Sequence, residues 1–143
     1  MVNPIPEGFH TVTPYLLVEG CAGLIEFLKA GFSAAETSRH AWPDGRIMNA
    51  QMKIGSSMVM LGDAPAGYPP MKSMLYLYVP DVDAVYNRAV AAGGKVVAAP
   101  VDQFYGDRSG AVSDPCGNVW WISTHKEDVG EEDLAKRARA AKK

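Results

Sequence analysis

Apolar and polar residues along this chain change period at intervals, and the first change is from strand to helix. Residues 11–18 are extended and apolar, whereas over 20–30 Leu24, Ile25, Phe27 and Leu28 share one helical stripe that Gly31 is expected to end. Asp44-Gly45 is a turn signal. In the strand expected at 46–54, Ile47, Asn49, Gln51 and Lys53 alternate with Met48, Ala50 and Met52, so one face is polar or mixed and the other apolar. After the Gly55-Ser56-Ser57 turn, 58–61 reads as a short buried strand and 62–70, rich in Gly and Pro, as a linker.

The pattern then restarts. Residues 71–79 read as a strand, and Asp81 is placed to cap a helix with the stripe Val82, Val85, Tyr86, Ala89 and Val90, closed by Gly93-Gly94. A short strand is expected at 96–99 and a loop at 100–108. Strands at 109–113 and 118–123 flank the turn Asp114-Pro115-Cys116-Gly117. A shift of 61 residues lays Tyr15-Leu16 on Tyr76-Leu77, Val18 on Val79, Leu24 on Val85, Leu28 on Ala89, Ala30 on Ala91 and Gly45 on Gly106. The same shift superposes the order of elements, so the chain reads as two βαβββ halves.

The last segment, 127–143, differs in kind. Glu131, Glu132 and Asp133 open it and Lys136, Arg137, Arg139, Lys142 and Lys143 close it, a charge order that complements a helix dipole. Leu134, Ala135 and Ala138 make only a weak apolar stripe, which fits a solvated surface helix better than a nucleic-acid or membrane arm.

Composition narrows the classes without choosing among them. The 143 residues suit one domain, long enough to bury about two-thirds of the unfolded surface. With 48% hydrophobic and 21% charged residues and a formal net charge of −2, no global field favours nucleic acid or membrane. Cys21 and Cys116 lack metal-ligand spacing and are expected as free thiols. Residues 1–9 carry neither a basic nor an apolar targeting pattern, and no apolar run approaches the roughly 20 residues that cross a bilayer. A cytoplasmic protein is the expectation.

Five segments together resemble a known family: Phe9-His10-Thr11-Val12-Thr13-Pro14-Tyr15-Leu16, Asp44-Gly45-Arg46, Tyr78-Val79-Pro80-Asp81-Val82-Asp83, residues 102–110 (DQFYGDRSG) and Asp114-Pro115-Cys116-Gly117-Asn118-Val119-Trp120. The chain from Pro6 to Val129 resembles the vicinal oxygen chelate superfamily, the glyoxalase and bleomycin-resistance fold, and within it the PhnB-like branch. The resemblance implies an α+β fold in which two halves, about 9–63 and 71–125, form a curved eight-stranded mixed sheet around a cleft within a domain of residues 1–129. A helical tail follows at 130–143, and a homodimer is implied.

Catalytic members of that family hold a divalent metal with His and Glu side chains, and by position the four slots fall here on Thr13, Met60, Met74 and Trp121. A borderline or hard dication needs carboxylate oxygen or imidazole nitrogen, whereas a thioether is soft, an indole only donates and a lone hydroxyl is weak. No metal and no cofactor are therefore expected. His10, His40 and His125 lie outside the slots, and His10 and His125, near strand ends, suit solvated or hydrogen-bonded roles. PhnB-like relatives often carry His and Glu where this chain has Asn49 and Gln51, amides that can orient a ligand but not exchange protons near neutral pH.

Met58 or Met60, Met74, Trp121 and Trp42 would make the cleft an aromatic and thioether surface for a planar or apolar guest, or else pack it shut. Gln103, Tyr105, Asp107 and Arg108 form the polar cluster of the second half. Arg108 is a candidate clamp for a carboxylate or phosphoryl group, with Tyr105 and Gln103 orienting it, or a structural partner of Asp107, Asp114 or a carbonyl. Cys116 sits in a turn with nothing in sequence to acidify it. The expected function is metal-free binding of an aromatic or amphipathic metabolite or antibiotic, with Trp42, Asn49, Gln51, Met60, Met74, Gln103, Tyr105, Arg108 and Trp121 as ligand-binding residues. The competing class is a metal-independent lyase or isomerase, with Tyr105 or Asp107 as acid or base and Arg108 stabilising an oxyanion.

Overall fold

The computed structural model describes residues 2–141. Its first half runs β1 (Tyr15–Val18), α1 (Cys21–Phe32), β2 (Ala35–Ala41), β3 (Ile47–Ile54) and β4 (Ser57–Asp63). The second runs β5 (Met74–Tyr78), α2 (Val82–Ala91), β6 (Lys95–Asp102), β7 (Asp107–Ser113) and β8 (Val119–His125), and α3 (Glu131–Ala141) follows. The eight strands form two four-stranded sheets of the same order, β1-β4-β3-β2 and β5-β8-β7-β6. In each, the first strand pairs parallel with the last and the other pairs are antiparallel. Moved by 61 residues, every boundary of the first half falls within two residues of its counterpart, as Cys21 on Val82 illustrates.

The repeat extends to how each helix starts. Gly20 precedes α1 with φ 92° and has no side chain to cap with, so Asp63 at the end of β4 accepts the Gly20 and Cys21 N–H groups, both at 2.9 Å, and that of Ile47 at 2.8 Å. In the second half Asp81 caps α2 through the Ala84 N–H at 3.2 Å, as expected, and Thr124 near the end of β8 accepts the Val82 N–H at 2.9 Å. Each helix is thereby tied to the last strand of its own half.

One face of each sheet packs against the helices. Leu16, Leu24, Ile25, Leu28, Met52, Leu61, Trp120 and Ile122 are fully buried there, and each such side chain contributes about 1.5–3 kcal/mol by leaving water. Trp120 packs on Phe32 with ring centroids 5.1 Å apart, and its Nε1 donates to Asp114 Oδ2 at 2.8 Å. Asp114 also accepts the Cys116 and Asn118 N–H groups at 2.8 and 3.0 Å, which closes the turn between β7 and β8.

Several expected boundaries move, each for a physical reason. Helix α1 runs through Gly31 and ends at Ser33 with φ 56°. Gly31 serves close packing instead: a Cβ there would lie 3.3 Å from Ala89 Cα of α2. Strand β2 carries no apolar alternation, because it is a largely exposed edge strand. In β3 the register shifts between His40 and Ala41, so Met48 bulges outward while Ile47 is buried, which breaks the expected alternation at that point. Gly62 and Asp63 belong to β4 and not to a linker, and the loop expected at 100–108 shrinks to 103–106 because β6 and β7 each extend into it.

Helix α3 buries none of its side chains; Arg137 holds it by donating to Glu127 Oε1 at 2.6 Å and the Phe104 carbonyl at 3.2 Å. Lys142 and Lys143 of the basic tail lie outside the described residues. Among the described residues no helix is long and apolar enough to cross a membrane.

Candidate functional site

Strand alternation decides which side chains turn away from the helices. In β5, Leu75 and Leu77 pack against the core while Met74, Tyr76 and Tyr78 are 70, 41 and 64% exposed. Leu75 pairs with Trp120 and Tyr76 with Trp121, so Trp121 shares the open face and Trp120 the core. The same reasoning puts Asn49, Gln51 and Met60 on the open face of the first sheet, where Met60 pairs with both Tyr15 and Gln51. A groove of about 870 Å³ runs along the edge of β5 against the first half, lined by Tyr15, Met74, Tyr76 and Tyr78, by the β3–β4 turn and, from the core side, by Phe32, Leu75 and Trp120; Trp121 and Asp107 do not line it. Thr13 precedes β1 and is half-buried.

The polar centre of the second face is Asp107, only 4% exposed. Its Oδ2 accepts the Tyr76 and Tyr78 hydroxyls at 2.8 and 2.9 Å, and its Oδ1 lies 2.8 Å from His125 Nδ1. The other imidazole nitrogen lies 2.7 Å from Asp128 Oδ1. Burial opposes ionisation of Asp107, but the hydrogen bonds from His125, Tyr76 and Tyr78 outweigh it and hold the carboxyl below its ordinary range. His125 is shifted upward by its bond to Asp107 and then by Asp128. Burial raises Tyr76, and the bond to Asp107 raises Tyr78, so both phenols stay protonated and donate to a charged acceptor.

Around this centre lie further hydroxyls. The Tyr105 hydroxyl is near enough to Tyr76 to act on its ionisation, and Gln103 Nε2 donates to the buried Ser109 Oγ at 3.1 Å. Ser123, opposite Tyr78 in the β5–β8 pairing, is fully buried; its Oγ lies beside the Tyr76 hydroxyl and has no well-formed hydrogen bond among the described residues.

Of the expected ligand-binding residues only Met74 lines the groove; Asn49, Gln51, Met60, Gln103, Tyr105 and Trp121 lie outside it, and Arg108 and Trp42 are held elsewhere. Arg108 follows Asp107 on β7 and therefore points to the helix side, where it grips Asp83 of α2 at 2.9 and 3.0 Å and reaches Asp102 at 3.4 Å. It cannot clamp a guest on the open face. Trp42 sits at the β2–β3 turn under the Arg46 guanidinium, 4.8 Å from the ring centroid, and does not line the groove. Cys116 is pushed up to about 11 by burial and then by Asp114 and Asp63, and Cys21 to about 12 by burial and Asp63, so neither is a ready nucleophile.

The residues at the four family slots do not fit a divalent metal. Among the described residues no three or more His, Cys, Asp and Glu side chains are grouped to hold one, and His125 has both nitrogens engaged by carboxylates. The members that sequence reasoning passed over are Tyr15, Tyr76, Tyr78, His125 and Ser123. The signal for two of them was present: Met74, Tyr76 and Tyr78 alternate with Leu75 and Leu77, the mark of a strand with two unlike faces.

Comparison with known proteins places the chain. A family model described as the Glyoxalase/Bleomycin resistance protein/Dioxygenase superfamily matches residues 9–122. An uncharacterized protein of Mycobacterium bovis, Mb0911c, is 35% identical over 134 residues, covering 86% of this chain and 88% of the relative. Among solved structures, TioX from Micromonospora sp. ML1 superposes with a TM-score of 0.68 at 22% identity, covering 85% of this chain and all of TioX. The PhnB protein from Bacillus cereus superposes with a TM-score of 0.60 at 17% identity, covering 80% and 99% respectively.

Proposed function

The chain belongs to the glyoxalase/bleomycin resistance protein/dioxygenase superfamily, and from that premise we propose that it is a metal-free small-molecule-binding protein that takes an aromatic or amphipathic metabolite or antibiotic on its second sheet. The observation that carries this reading is the open face of β5 and β8. Met74, Tyr76, Tyr78 and Trp121 form an apolar, aromatic floor there over one buried, hydrogen-bonded carboxylate. A small-molecule site combines an apolar lining with a few placed polar groups in this way.

A metal-independent lyase or isomerase is the competing reading, and the geometry favours it less. Asp107 accepts three hydrogen bonds that lower its basicity, and Arg108, the expected oxyanion partner, is held by Asp83 behind the sheet. We also propose a cytoplasmic homodimer: the outer edges of β1 and β5 are not paired within the chain and offer backbone donors and acceptors that a second copy would cover. Light scattering at micromolar concentration tests it, and a monomer would refute it.

The test of binding is a titration of aromatic ligands followed by tryptophan fluorescence. A guest on this face stacks on Trp121, so Trp121→Ala lowers affinity several-fold, since such a contact is worth about 1 kcal/mol beyond its buried area. Trp120→Phe keeps the affinity, although losing the bond to Asp114 lowers stability. Equal affinity of Trp121→Ala and the parent would refute the reading.

A further inference from the structure

We propose that the guest carries a protonated amine seated in the notch between the Tyr76 and Tyr78 rings, above the Asp107 carboxylate. This rests on the small-molecule-binding reading and names the chemistry of its ligand. Both phenol protons are committed to Asp107 Oδ2, which leaves the phenol oxygens free to act only as acceptors, and that of the 64% exposed Tyr78 is the one nearer solvent. Donation to a carboxylate polarises the phenols and makes those oxygens better acceptors. The two rings, with centroids 5.3 Å apart and planes at 55°, form a splayed aromatic pair of the kind that cations favour.

The surrounding charges point the same way. Asp107 and Asp128 face a single imidazolium, that of His125, whose two nitrogens they occupy. Arg108 is bound behind the sheet, and Arg88 in the groove lining donates its Nε to the Gly31 carbonyl at 3.1 Å. An anionic guest would thus meet a carboxylate whose partners are already used.

The test uses three matched probes on the full-length protein by calorimetry: phenylpropylammonium, phenylpropanol and phenylbutanoate. The ammonium is expected to bind about tenfold more tightly than the alcohol, and the carboxylate most weakly. In the Tyr76→Phe/Tyr78→Phe variant the ratio of ammonium to alcohol affinity falls to about threefold or less. Tyr78 is 64% exposed, so Tyr78→Phe alone folds normally and must by itself reduce the preference. A carboxylate that binds as tightly as the ammonium, or a preference that survives both variants, overturns the proposal. If all three probes bind alike and quench Trp121, the cleft binds small molecules but not through an amine. If none binds, the small-molecule reading falls with it.

Discussion

Tyr15 and Tyr76 stand at equivalent places in the two halves, yet their hydroxyls meet different surroundings. Tyr15 reaches across Gly62, where a Cβ would lie 2.9 Å from its oxygen, and makes only long contacts of 3.5 Å to the Met48 carbonyl and 3.4 Å to Asn49 Nδ2. Tyr76 reaches across Ser123 to a buried carboxylate at 2.8 Å. Both halves share one backbone plan, and a few substitutions on one face convert a neutral wall into a charged, hydrogen-bonded centre. The lesson is that the repeat carries the fold, while the departures from it carry the chemistry.

The largest expected difference between the halves lies in how the helices are tied down. Asp63→Ala strands three N–H donors, those of Gly20, Cys21 and Ile47, and is expected to cost about 3 kcal/mol or more. Thr124→Ala removes one acceptor for Val82 and should cost about 1 kcal/mol. Denaturant unfolding of the two variants measures both, and equal losses would break the comparison.

Next in size is the tyrosine pair. Tyr76→Phe removes a hydrogen bond to a charged acceptor and should cost about 1–2 kcal/mol, against less than about 0.5 kcal/mol for Tyr15→Phe. A larger effect at Tyr15 would show that the first wall holds more than its long contacts suggest.

The smallest effect is on pH dependence. His125 is raised above its ordinary 6.5 in the folded state, so its contribution is complete below that pH and is lost as pH rises through the folded value. Asp107 is lowered from 3.8, so its contribution is present above that pH and lost as pH falls through the lower folded value. Glu36 of the first half, held at about 2 by Arg39 and then Lys29, adds to the acid side. Stability is therefore expected to peak between those limits. Its decline as pH rises above 6.5 belongs to the second half, and His125→Ala should flatten it. An unchanged slope in that variant would remove His125 from the cluster.

Much of the fold was legible because hydrophobic period and turn residues repeat. Asp81, the two helical stripes and the Asp114 turn lie where their residue types require them. Strand β2 was not legible, since an exposed edge needs no apolar alternation, and Asp63 was hidden in a stretch whose glycines and prolines read as a linker. The site was legible only in pieces. Asp107 and His125 stand 18 residues apart and meet because the β7–β8 register pairs them. Once β7 begins at Asp107, neighbouring residues must face opposite ways, which sends Arg108 to Asp83 and leaves Asp107 buried beneath the tyrosines of the other face.

The most direct test of metal-free binding on the second face is a titration of phenylpropylammonium into isotopically labelled, chelator-treated protein, followed by NMR. The expected result is shifts centred on Met74, Tyr76, Tyr78 and Trp121, with an affinity that added Zn²⁺ leaves unchanged. Shifts centred on Tyr15, Asn49 and Met60, or binding that appears only when the metal is restored, would contradict it.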